Sequence, residues 1–164
     1  PAAKDPPHPP STYEVRELGA FLFYDRLGAL GARNIAEPYP EGASDDRGTP
    51  RDLYHAMSGG EVEDGPSNST IVVVTLRKPR FLSHKATGRL KLIATNKAGR
   101  VLFSETRTLE HTGSAFASLD HKVPFLIPWT SCAPVILEAR LSVTDLGAVS
   151  KALIKRVIPF GCHD

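Results

Sequence analysis

With 164 residues, a formal net charge of +2, 41% apolar and 23% charged residues, the chain has ordinary globular usage. It is long enough to bury one core and too short for two ordinary domains. The composition excludes an intrinsically disordered protein, and without an apolar run of roughly 18 residues there is no stretch suited to a membrane-spanning helix.

Pro1 to Pro10, P-A-A-K-D-P-P-H-P-P, holds five prolines and favours extended polyproline II geometry. We therefore expect a poorly ordered tether over 1–12 and a single domain over 13–164. The start at Pro1 without Met is what we expect of a chain that has lost its beginning by processing or by design. Tyr13 to Tyr24 suggests the first strand or two, with Phe21 and Phe23 on one face and Leu22 and Tyr24 on the other. Glycines at 19, 28 and 31 argue against a helix there, and Asp25 to Gly28 reads as a turn.

Residues 37–66 form a long connection rich in Pro, Gly and acids. One short helix fits inside it, with Thr49 as N-cap, Pro50 at the first helical position and Gly59-Gly60 as the stop. Ser69 to Leu76, S-T-I-V-V-V-T-L, crowds β-branched residues between Pro66 and Pro79 and reads as a strand apolar on both faces, hence interior to a sheet. Pro79 to Gly88 is a polar connection. Leu90 to Thr95 and Arg100 to Thr106 then flank Asn96-Lys97-Ala98-Gly99, a sequence suited to a type I turn with a Gly bulge. The pairing expected from that turn sets Ile93 opposite Phe103 and Lys91 opposite Glu105.

Leu109 to Ser118 turns through His111-Thr112-Gly113, and another strand is expected from Lys122 to Ile127. Trp129, the sole tryptophan, is expected to pack beside Cys132. From Val135 onward the alternation is regular: Val135, Leu137, Ala139, Leu141 and Val143 on one face, Glu138, Arg140, Ser142 and Thr144 on the other. A reversal at Asp145-Leu146-Gly147 leads into a strand from about Ser150 to Ile158. A turn centred on Gly147 sets Glu138 opposite Arg156 and Cys132 opposite Cys162.

These runs give seven or eight short strands separated by turn signals, which predicts an all-β chain folded as an antiparallel β-sandwich, with a closed β-barrel as the alternative. An immunoglobulin-type frame would place a Trp between its cysteines, whereas Trp129 precedes both.

Two cysteines are too few for a disulfide scaffold or for a zinc site of four local ligands. A Cys132–Cys162 bridge closing the last hairpin is expected, and with it an oxidising compartment, periplasmic or secreted. Charge is segregated along the chain. Arg77, Lys78, Arg80, Lys85, Arg89, Lys91, Lys97 and Arg100 occur in a stretch with no acid, while 37–64 holds Glu37, Glu41, Asp45, Asp46, Asp52, Glu61, Glu63 and Asp64 against Arg47 and Arg51. Two readings follow: a face for an anion or an acidic partner, centred on Arg77, Lys78, Arg80, Lys85 and Arg89, or mutual neutralisation of the two segments.

Asp45, Asp46, Glu61, Glu63 and Asp64 are weak calcium candidates, since their spacing departs from that of an EF-hand loop. His55, His84, His111, His121 and His163 are scattered, no nucleophile signature of the G-x-S-x-G kind occurs, and no Gly-rich phosphate cradle is present. No cofactor or transition metal is expected. Nucleic acid is disfavoured, because no binding motif accompanies the charge and the pI of about 8.7 falls short of the usual range. The expected function is a non-catalytic exported binding or interaction module for an anionic ligand or acidic protein at or outside the cell envelope. Two alternatives are a small secreted enzyme with a site built by the 37–66 loop and a structural subunit that assembles through an edge strand.

Overall fold

The computed structural model describes residues 13–24, 27–38, 67, 69–77, 86–109 and 120–161. The Pro-rich start, the short helix expected near Thr49 and the turn expected at His111 lie outside the described residues.

Alternation of apolar side chains produces eight strands: β1 (Glu14–Tyr24), β2 (Ala29–Leu30), β3 (Ser69–Arg77), β4 (Thr87–Thr95), β5 (Val101–Leu109), β6 (Asp120–Ile127), β7 (Val135–Asp145) and β8 (Ala148–Ile158). They form two antiparallel four-stranded sheets, ordered β2-β1-β3-β6 and β5-β4-β7-β8. The architecture is therefore a β-sandwich rather than a closed barrel, and no helix occurs among the described residues.

The core lies between the sheets. Leu18, Ala20 and Leu22 of β1, Val72, Val74 and Leu76 of β3, and Phe125 and Ile127 of β6 meet Leu90, Leu92 and Ala94 of β4, Leu137, Ala139 and Leu141 of β7, and Ile158 and Phe160 from the chain's end. Each fully buried side chain of this size contributes about 1.5–3 kcal/mol. β3 is interior, as its sequence predicts. Two of its outward residues, Ile71 and Val73, are apolar because their neighbours are: Ile71 stands opposite Phe21 and Leu126, and Val73 opposite Gly19 and Pro124.

β2 covers only Phe23 and Tyr24 of the free edge of β1. The segment after β2 continues that cover over Leu22 and Ala20. The Gly31 N–H donates to the Leu22 carbonyl at 2.7 Å and the Ile35 N–H to the Ala20 carbonyl at 2.8 Å, while Asn34 Oδ1 accepts from the Ala20 N–H at 2.9 Å and the Ala36 N–H at 3.1 Å. These bonds blunt an edge that would otherwise pair with another chain. At one side of the sandwich the Arg107 guanidinium of β5 lies 5.5 Å from the centre of the Phe125 ring of β6; at the other, β8 runs alongside β1.

Two registers differ by one residue from those the turns suggested. In the β4–β5 hairpin the Asn96 carbonyl accepts from the Gly99 N–H at 3.0 Å, and Gly99 has φ 81°, as a type I turn with a Gly bulge requires. A second irregularity follows: Thr95 pairs with Val101 but Ala94 with Phe103, so Leu102 is an extra residue. Beyond it Ile93 stands opposite Ser104, and Lys91 opposite Thr106.

In the β7–β8 hairpin the loop is Leu146-Gly147, both at positive φ (50° and 81°), the conformation of a two-residue type I′ turn rather than a three-residue loop. Glu138 therefore stands opposite Lys155, and Arg156 opposite Leu137. The ladder ends at Val135 and Ile158. Extended, it would set Gly161, not Cys162, opposite Cys132, so register alone does not bring the two cysteines together.

Candidate anion-binding face

Alternation that buries Leu90, Leu92, Leu137, Ala139 and Leu141 must send the residues between them outward. On β4 these are Arg89 and Lys91, on β7 Glu138, Arg140 and Ser142, and on β8 Lys151, Leu153 and Lys155. Strand order then sets them side by side. One rung across the outer face of the second sheet reads Thr108, Arg89, Ser142, Lys151; the next reads Thr106, Lys91, Arg140, Leu153; a third reads Ser104, Ile93, Glu138, Lys155.

These rungs line an open groove of about 750 Å³ that holds five cations, Arg89, Lys91, Arg140, Lys151 and Lys155, and a single carboxylate, Glu138. Glu138 is mostly buried and serves two of the five: Arg140 Nε donates to one of its oxygens, and Lys155 Nζ lies 2.9 Å from the other. The hydrogen bond from Lys155 is the main reason the Glu138 carboxyl titrates below its ordinary value, with Arg140 adding to the effect against the opposing cost of burial. Arg89, Lys91 and Lys151 have no acidic partner among the described residues.

Ser142 is the short side chain between Arg89 and Lys151 on their common rung. Strands lie about 4.8 Å apart, so two long cationic side chains flank a hydroxyl at a spacing suited to an oxyanion resting between them.

Of the charged residues singled out from the sequence as a site, the structure describes Arg77 and Arg89, which lie in different sheets. Arg89 lies in this groove. Arg77 ends β3 in the opposite sheet, where it stands opposite Asp120 and lies 3.6 Å from its carboxylate. Lys78, Arg80 and Lys85 lie outside the described residues, as do Asp45, Asp46, Glu61, Glu63, Asp64 and Cys162. Trp129 packs against the edge of the core, and its carbonyl accepts from the Thr70 hydroxyl at 3.2 Å. No described cysteine is a free thiol. Among the described residues no cluster of His, Cys, Asp or Glu is arranged to hold a metal ion.

Glu138, Arg140, Lys151 and Lys155 escaped a reading that searched for runs of charge. The signal that marks them is charge at the outward positions of a strand, Glu138 and Arg140 two apart on β7 and Lys151 and Lys155 four apart on β8, and it becomes a site only when β4, β7 and β8 are known to be adjacent.

Comparison of the chain with family models, curated proteins and solved structures finds no match.

Proposed function

We propose that this chain is a non-catalytic exported binding module that takes an anionic ligand or an acidic partner on the outer face of its second sheet. The observation that carries this reading is the set of three cations, Arg89, Lys91 and Lys151, gathered in one groove and paired with no carboxylate among the described residues, Glu138 being held by Arg140 and Lys155. Like charges so placed repel one another, and a bound anion relieves that repulsion.

Export is supported by the cysteines. No described cysteine is a free thiol, the chain contains one other besides Cys132, and a Cys132–Cys162 bridge persists only where the compartment is oxidising.

The test is retention on immobilised polyphosphate over a salt gradient. The native chain is expected to bind at low salt and to elute as salt screens the contact. The Arg89→Glu, Lys91→Glu, Lys151→Glu triple variant should pass unretained with its circular dichroism intact. Arg77→Glu, in the opposite sheet, should elute with the native chain. Equal retention of the native chain and the triple variant, or failure of the native chain to bind both polyphosphate and polyglutamate at low salt, would overturn the reading.

A further inference from the structure

We propose that the outer face of β8 and the tip of its hairpin dock this basic face on an anionic lipid bilayer; the inference rests on the binding reading above and names its partner. Outward positions of β8 alternate apolar and basic residues: Val149, Lys151, Leu153, Lys155, Val157. The three apolar members are 59%, 57% and 53% exposed, and Leu146 at the hairpin tip is 81% exposed.

Lysines on an edge strand are explained by the need to discourage pairing with other chains. Valine and leucine at the outward positions between them are not. Leu146 carries a second anomaly. It occupies the first loop position of a type I′ turn at φ 50°, where Asn, Asp or Gly is favoured and a branched apolar side chain is strained. A residue that is both strained and exposed is better accounted for by what it meets than by the fold it terminates.

The shape of the stripe selects the partner. Val149, Leu153 and Val157 recur every fourth residue, about 13 Å apart along the strand, and lysines stand between them. Leu153 borders the groove while Val149, Val157 and Leu146 lie outside its lining, so the apolar members stand singly between lysines and do not share one apolar hollow for a partner's side chain to fill. A fluid interface accepts such a row. Apolar tips enter the acyl boundary while the lysines extend to the headgroup phosphates, and Arg89, Lys91 and Arg140 follow on the neighbouring strands as a further basic layer facing the anionic surface. A soluble polyanion would engage the cations and gain nothing from Leu146.

The experiment is flotation with vesicles of phosphatidylcholine alone and of equal parts phosphatidylcholine and phosphatidylglycerol, with polyphosphate and polyglutamate as soluble probes. The native chain should float with the mixed vesicles and not with neutral ones. Lys151→Glu should weaken vesicle binding about fivefold or more. The Leu146→Asn, Val149→Thr double variant should weaken it about tenfold or more and leave polyphosphate affinity unchanged. Its hairpin should fold at least as well, since Asn-Gly is the preferred type I′ pair.

Equal vesicle binding by the double variant would overturn the docking mode. So would absence of vesicle binding by a chain that still takes polyphosphate, which leaves the basic-face reading standing, or binding to polyglutamate alone, which points to an acidic protein. A native chain that ignores every probe would overturn both.

Discussion

Lys91 of β4 and Arg140 of β7 stand directly opposite each other on the outer face of the second sheet. Like charges in that position cost stability, by up to about 1 kcal/mol, and part of the strain is taken up by Glu138, whose carboxylate holds Arg140 from the same strand. Lys91→Glu replaces the repulsion with a cross-strand attraction. The variant is expected to be as stable as the native chain or more so, by about 0.5 kcal/mol or less for an exposed pair, as read from its denaturation midpoint. Its polyphosphate affinity should fall several-fold. A gain in stability paired with a loss of binding is the mark of a position kept cationic for a ligand; loss of both would make Lys91 a structural residue.

Glu138 gives the face a dependence on pH. Its carboxyl titrates below the ordinary value of 4.5 in the folded chain, mainly through Lys155. A group whose folded pKa is depressed contributes stability that is complete above its unfolded value and disappears as pH falls through the folded one. The difference in melting temperature between the native chain and Glu138→Gln should therefore be constant above about pH 5.5 and shrink on acidification below about 4.5. The neutral variant also releases Arg140 and Lys155, so its affinity for polyphosphate at pH 7 should exceed that of the native chain. An affinity equal to or below the native one would mean that Glu138 does not compete with the ligand for these two cations.

Asn34 tests the blunted edge of β1. Its Oδ1 accepts from the N–H of Ala20, a residue with no exposed surface. Asn34→Ala leaves that donor without a partner, which costs about 1–3 kcal/mol, measurable as a lower urea midpoint. Asn34→Asp keeps the acceptor and should recover most of the loss, less the repulsion from Glu37, whose carboxylate lies 3.3 Å from the Asn34 Nδ2. Equal destabilisation by the two substitutions would show that the hydrogen bond does not hold this segment to β1.

What the sequence revealed, and what it hid, follows from the range of the interactions involved. The interior position of β3 is legible because burial on both faces needs apolar residues at consecutive positions, and Ser69 to Leu76 supplies them. The inward set of β7 is legible for the complementary reason, strict alternation. Turn identity is local too, and Asn96 to Gly99 forms the turn its residues predict. Register is not, because one residue displaces the whole ladder. Leu102 enters as a bulge without a Gly or Asn to announce it, and Leu146 takes a left-handed conformation that its side chain disfavours. The basic face lies further from local information still. Arg77 and Arg89 are close in sequence and fall in different sheets, whereas Lys91 and Lys151 are sixty positions apart and line one groove.

The cysteines provide the last test, and it bears on compartment as much as on stability. Register does not set Cys132 opposite Cys162, so the bridge we propose rests on the finding that no described cysteine is a free thiol. In the chain-entropy treatment, closing a loop of about 30 residues stabilises the fold by about 3–4 kcal/mol, so Cys132→Ser, or reduction of the native chain, should lower the melting temperature by roughly 10 °C. Alkylation of the unreduced, denatured protein should find no thiol, and alkylation after reduction should find two. Two thiols before reduction would remove the bridge and, with it, the chemical ground for an oxidising environment. The basic face would stand unaffected, because Arg89, Lys91 and Lys151 are positioned by the ladders of β4, β7 and β8, none of which depends on the sulfur link.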